Sequence, residues 1–213
     1  VIMGADASAE ASALLDRRRM TDDPRQVRTR EALGSALMRL LETVPLDALS
    51  VARLCREAGV HRTTFYGHAD SVDAFAVAWF TRDLDRLSAV EVSGRSPREI
   101  AGQYLDALRA LLDHVASERA VFRAMFASSS RGAFRAALEE RLRARAASAI
   151  VALDAAGAAG VPRGSRAREE AAAFISGALV GVVEVWSRDD DVDARAASER
   201  VLALMPPWWP LHD

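Results

Sequence analysis

The chain has 213 residues, half of them hydrophobic, with 7 prolines, 12 glycines and a net charge of -2. That is enough apolar material for one large domain or two modest ones, and the near-neutral balance excludes a uniformly basic nucleic-acid coat. Ala, Leu, Arg and Glu dominate, β-branched residues are scattered, and all 28 basic residues are arginine, a composition that points to an all-α fold.

Charge is unevenly placed. Residues 17–68 hold ten arginines against six acidic residues, about +4, whereas 69–213 hold eighteen against twenty-one. A positive module on a slightly acidic body suits a protein that meets phosphate at one end. The one cysteine, Cys55, leaves no internal disulfide framework and fits a reducing cytosol. The longest apolar run, AAAFISGALVGVVEVW (171–186), is short for a bilayer span and contains Glu184. Residues 1–16 lack the apolar centre of a secretory signal. A cytoplasmic protein with no membrane partner is expected.

Residues 1–20 are rich in Ala and Ser, with three arginines at 17–19. They read as a disordered leader or, alternatively, as a basic arm. Asp23, Pro24 and Gln26 then form a helix start, followed by Leu33, Leu37, Leu40, Leu41 and Val44 at helical spacing until Pro45. Ser50 can cap a second helix with Val51, Leu54, Cys55 and Ala58 inward, and Gly59 stops it. A very short third helix is predicted over about 61–67. Asp70 or Ser71 caps a long fourth, striped by Val72, Phe75, Ala76, Trp79, Phe80, Leu84 and Leu87.

Further helices follow. SPRE (96–99) is a capping box opening a helix to about 116, and Ser117 can cap a short one ending near SSS (128–130). Another runs over about 131–155, GAAGVPRGS (157–165) is a linker, and helices at about 166–187 and 191–205 lead to PPWWP. No strand-period run or repeat is present. The expected architecture is a three-helix head (21–70) on a larger helical body (71–213), about nine helices in all.

The head carries the clearest chemistry. Two short helices joined by a glycine-containing turn, the second showing polar tips, form a helix-turn-helix. Val51, Leu54, Cys55, Ala58, Val60 and Phe65 brace it, while Arg62, Thr63, Thr64, Tyr66 and His68 are presented. Arg can bond guanine bidentately, Thr offers a hydroxyl and a methyl, and Tyr and His can donate to phosphate.

The stretch VARLCREAGVHRTTFYGHADS resembles the tetracycline-repressor (TetR) family of one-component transcriptional regulators, from about Arg28 to Phe80. Leu54, Ala58-Gly59-Val60, Thr64-Phe65-Tyr66, His68 and Ser71 carry the resemblance. It implies base reading by Arg62 and Thr63 at the start of the recognition helix, next to His61. It also implies phosphate contacts by Thr64, Tyr66 and His68, with backbone contacts from Arg28, Ser50 and Arg53. Three positions depart from the family pattern. His61 replaces a small capping residue, Ala69 a bulky aromatic, and Val72 a lysine.

The same resemblance implies a small-molecule effector bound in the body and a homodimer on an operator of double-stranded DNA. Tyr104, Leu108, Leu111, His114, Phe122, Met125, Phe126, Phe134 and Phe174 are the candidate lining of a site for an apolar or aromatic ligand. Gly177 and Gly181 share a helix face with Phe174, Ala178, Val182 and Val185. Each glycine costs ~1 kcal/mol relative to alanine, which close approach of another helix would offset. Ala194, Ala197, Val201 and Leu204 of the last helix complete the candidate dimer seam, burial within one chain being the alternative.

No nucleophile–base pair, phosphate-cradling glycine loop or metal-binding spacing appears in the sequence, so neither catalysis nor a cofactor is expected. A helical co-regulatory protein without sequence-specific DNA binding is the second reading, motivated by His61, Ala69 and Val72.

Overall fold

A computed structural model of the protein describes residues 23–86, 94–188 and 193–210. The leader and its arginine run, and Leu84 and Leu87 of the fourth-helix stripe, fall outside the described residues or side chains. Nine α-helices are present among the described residues, with no strand. They are α1 (Pro24–Leu41), α2 (Val51–Ala58), α3 (Arg62–Phe65), α4 (Val72–Arg86), α5 (Pro97–Ser117), α6 (Arg119–Ala127), α7 (Arg131–Ala155), α8 (Ser165–Arg188) and α9 (Ala194–Leu202). A 3₁₀ turn, Leu46–Ala48, links α1 to α2.

The local signals act where the sequence puts them. The Asp23 carboxylate accepts from the Arg25 amide at 2.9 Å, with Pro24 opening α1. Ser50 Oγ accepts from the Arg53 amide at 3.2 Å, and Ser71 Oγ from Ala74 at 3.0 Å. Ser96 and Glu99 form the reciprocal capping box of α5. One start differs from expectation. Ser117 ends α5, its hydroxyl turned back to the His114 carbonyl, and α6 begins at Arg119 without a side-chain cap.

One buried cluster runs unbroken from the head (Leu33, Leu37, Leu54, Phe65) through Phe75 of α4 to Phe122, Phe134 and Trp186 of the body. The head is therefore welded to the body through α4 instead of hanging from a linker. Gly34 of α1 makes the weld close. A Cβ there would fall 2.1 Å from the Trp79 ring, which stacks on Phe75 and lies under Arg82 at 4.2 Å. Arg82 also pairs with Glu31 of α1 at 2.8 Å. A second cluster joins Ile100, Ala149, Ile150, Leu153, Ile175 and Trp209 at the far end of the body.

The helix α8 is longer than its apolar run. Extended over 24 residues, it has by length and composition what a membrane span requires. That corrects the expectation from 171–186 alone. Its setting is that of a core helix. It packs along α7, and buried Glu184 accepts from Arg131 at 2.8 Å, from Arg135 and from Arg188. Three guanidiniums satisfy the carboxylate, which removes the cost of burying it alone. Trp186 adds a bond from Nε1 to the Leu112 carbonyl at 3.2 Å.

Candidate nucleic-acid interface and ligand cavity

The turn between α2 and α3 is built by Gly59, whose φ of 66° is left-handed. The Val60 amide reaches back to the Cys55 carbonyl at 2.9 Å, closing α2 and redirecting the chain. Leu54 and Cys55 are buried on the bracing face, and burial pushes the Cys55 thiol above its ordinary pKa. This is a small core side chain rather than a reactive one.

One ring holds α3. Phe65 is fully buried, edge-on to Tyr66 at 5.6 Å and tilted against Phe75 at 6.0 Å. His61, Arg62, Thr63, Thr64 and Tyr66 are exposed, Tyr66 at 58 %, and His68 is half-buried at the following turn. Ser50, Arg53 and Arg28 are exposed on the neighbouring helices. Ser50 uses its hydroxyl as the α2 cap. His61 makes no side-chain cap, so α3 starts on backbone bonds alone, from the Thr64 and Phe65 amides to the His61 carbonyl at 3.0 and 3.1 Å. Val72 is a core residue here, and half-buried Ala69 packs against the same core. Arg39 of α1 forms an exposed ion pair with Glu57 of α2 at 3.0 Å.

In the body, α5, α7, α8, α9 and the C-terminal tail line a cavity of about 70 Å³. Of the candidate lining, Tyr104, Leu108 and Leu111 are in its wall. His114, Phe122, Met125, Phe126 and Phe134 are not. Phe122, Met125, Phe126 and Phe134 are core, with Phe126 and Phe134 meeting at 5.1 Å, and His114 sits edge-on to Phe122 at 5.8 Å. Those rings converge on the middle of the bundle, and space is left instead where α7 turns small residues, Ala146 and Ala149, towards α5.

The polar part of that wall is small. Sequence reasoning missed Arg145, which looks like one more solvated charge in an arginine-rich helix; Trp209 of the tail packs on the body and closes the wall. Tyr104 meets Trp209 edge-on at 6.1 Å. Burial raises the Tyr104 phenol above its usual pKa while the nearby Arg145 charge lowers it, so the hydroxyl stays protonated at neutral pH.

The candidate dimer residues divide in two. Phe174, Ala178 and Val185 are exposed along one face of α8, Gly177, Gly181 and Val182 lie half-exposed among them, and Leu204 is 75 % exposed beyond α9. A Cβ at Gly177 or Gly181 would meet nothing within 4 Å, so no helix among the described residues accounts for these glycines. Ala194 and Ala197 are instead buried inside the chain, where α9 packs on α5, while Val201, also buried, is in the wall of the groove beside the open α8 face. Phe174 lines no part of the cavity. It borders a groove with Ala178, Val182 and Leu204, and Ile175, Leu179 and Met205 are common to both hollows.

The architecture matches solved structures closely despite low identity. A fatty acid degradation regulator, FadR, from Bacillus halodurans aligns over 90 % of this chain and 98 % of its own, with TM-score 0.64 and 15 % identity. FadR of Thermus thermophilus, a TetR-family transcriptional repressor solved with lauroyl-CoA, aligns over 82 % and 92 %, with TM-score 0.60 and 22 % identity. A TetR-family transcription regulator from Shewanella sp. PV-4, described as putative, aligns over 85 % and 96 %, at 0.54 and 18 %. The fold is that of the TetR-family regulators. No family model matches the sequence, and no curated protein does at significant similarity.

Proposed function

We propose that the chain is a one-component transcriptional regulator, a repressor like its Thermus counterpart, that binds a near-palindromic operator as a dimer and is controlled by a small ligand. The observation that carries this reading is the row Arg62, Thr63, Thr64 and Tyr66, exposed on a helix whose one buried side chain is Phe65. A solvated helix has no use for that set, whereas major-groove readout requires it. The TetR-type fold around it supports the same reading. The open glycine face of α8 supports a two-fold contact that places two heads ~34–36 Å apart. The role is one of binding, not catalysis, and it belongs in the cytoplasm, where the chromosome is reached.

The test is selection from a random duplex pool followed by gel shifts of the enriched sequence across a salt series. An inverted repeat, bound far more tightly than random DNA and weakened steeply by salt, is expected. If no sequence is enriched, the reading fails and a co-regulatory role without DNA recognition takes its place.

A further inference from the structure

The chain has arginine but no lysine, so the place of each guanidinium shows what its positive charge serves. In the body the guanidiniums serve the fold. Arg131, Arg135 and Arg188 hold Glu184, Arg163 and Arg168 hold Asp154, and Arg82 reaches Glu31 of α1. Among the described arginines of the body, Arg200 alone has no bonded or electrostatic partner.

The head reverses this pattern. Arg39 is tied to Glu57, and Arg30 is engaged as well. Arg25, Arg28, Arg53, Arg56 and Arg62 are exposed, and their guanidiniums make no hydrogen bond or ion pair among the described residues. The carboxylates beside them are occupied elsewhere: Asp23 caps α1, Glu31 takes Arg82 and Glu57 takes Arg39. Arg25 and Arg28 are three apart on α1, and Arg53 and Arg56 three apart on α2, so each pair shares a helix face. The α2 pair lies opposite buried Leu54 and Cys55, and α2 packs against both α1 and α3. Uncompensated charge of this density fits a polyanion. Val27 and Tyr66 are the exposed large hydrophobic side chains of the described head, too few for the apolar centre of a protein interface.

We infer that Arg25 and Arg56, together with Arg28 and Arg53, grip DNA phosphates, widening the backbone contact of each head beyond the residues that the family resemblance assigns. The inference rests on the reading above, in which Arg62 is left for the bases. Phosphate contacts position a protein without reading sequence, and each neutralised phosphate releases counterion, so these arginines set the salt dependence of binding.

The experiment measures the affinity of the full-length protein for the selected operator and for random duplex across a salt series. Arg25→Gln and Arg56→Gln, each made alone, should lower the slope of log affinity against log salt by ~0.9 per head, or ~1.8 per bound dimer. Each should weaken operator and random duplex by the same factor. Arg25→Lys and Arg56→Lys keep the charge and should keep most of the slope. Arg200→Gln, which removes the free guanidinium of the body, should change neither quantity. All three side chains are exposed, so melting temperatures should match the wild type. An unchanged slope in either glutamine variant of the head would overturn the assignment of that arginine. An equal drop with Arg200→Gln would overturn both, since net charge and not placement would then be acting. Operator binding whose slope ignores the head substitutions keeps the regulator and removes this footprint. Salt-steep duplex binding that they do lower, with no sequence enriched, keeps the footprint and removes the regulator.

Discussion

Ser129 and Asp47, 82 positions apart, are joined by three hydrogen bonds: the Ser129 amide donates to both carboxylate oxygens at 3.1 Å and its hydroxyl to one at 2.8 Å. The next residue, Ser130, donates its hydroxyl to Asp73 of α4 at 2.5 Å. The serine loop between α6 and α7 thus holds Asp47 of the head and Asp73 at the start of α4, two carboxylates that flank the helix-turn-helix along the chain. Replacing both, Asp47→Asn with Asp73→Asn, should leave the head able to bind operator within about threefold. It should also reduce the ratio of operator affinities measured with and without ligand. Gel shifts with and without a ligand found by thermal-shift screening check this, and an unchanged ratio would show that the clasp transmits nothing.

The close passage of α1 and α4 makes Gly34→Ala a severe change for one methyl group. The Trp79 ring is held between Phe75 and Arg82 and cannot swing away freely. Overpacking of this kind costs ~1–3 kcal/mol. Urea unfolding should show that loss, and Trp79→Leu in the same chain should restore part of it.

Recognition-helix substitutions should separate reading from gripping. Arg62→Ala should cost ~1–3 kcal/mol on the selected operator and flatten sequence preference, because the lost bonds are to base edges. Tyr66→Phe should weaken all sequences alike. Both side chains are exposed, so thermal stability should stay put. Unchanged affinity in both folded variants would remove α3 from the DNA.

Most of the head is legible in the sequence because its determinants are local. Asp23, Ser50, Gly59 and Ser71 each act within a few residues, and the apolar spacing of α1 and α2 assigns their inner faces directly. The body is different. Which of its aromatic residues line space and which fill it depends on how four helices rotate against one another, and no spacing rule carries that. Phe122 and Phe134 look like pocket rings and are core, while Ala146 and Ala149 look featureless and open the cavity. Ala194 and Ala197 follow the same logic: an apolar stripe states that something covers it, not whether the cover belongs to the same chain.

The glycines of α8 offer a test in which two quantities move in opposite directions. Since nothing occupies the space beside them, Gly177→Ala with Gly181→Ala should add helix stability to the single chain, by up to ~1 kcal/mol per site. The same methyl groups should obstruct a close two-fold contact. Light scattering across a dilution series should show a weaker dimer from a chain that is more stable once separated. A stabilised protein with unchanged mass would place that face in solvent.

Acid should act at the loop between α7 and α8. A hydrogen bond from Arg163, opposed by burial and reinforced by Arg168, holds the Asp154 carboxyl below its ordinary pKa of 3.8. A depressed carboxylate contributes its stability above the unfolded value and loses it as pH falls through the folded one. The gap in melting temperature between wild type and Asp154→Asn should therefore be constant from neutral pH to about 5 and close below about 4.

Ile175, Leu179 and Met205 face the cavity on one side and the groove beside the open α8 face on the other. A single thickness of side chain separates whatever fills the first hollow from whatever docks beside the second. Ligand uptake and self-association then become two readings of one equilibrium, bound by reciprocity: if the ligand loosens the pair by some factor, dilution must raise its apparent affinity by the same factor. The cell's own copy number of this protein would in that case set its sensitivity to the signal, with scarce protein answering to less ligand than abundant protein.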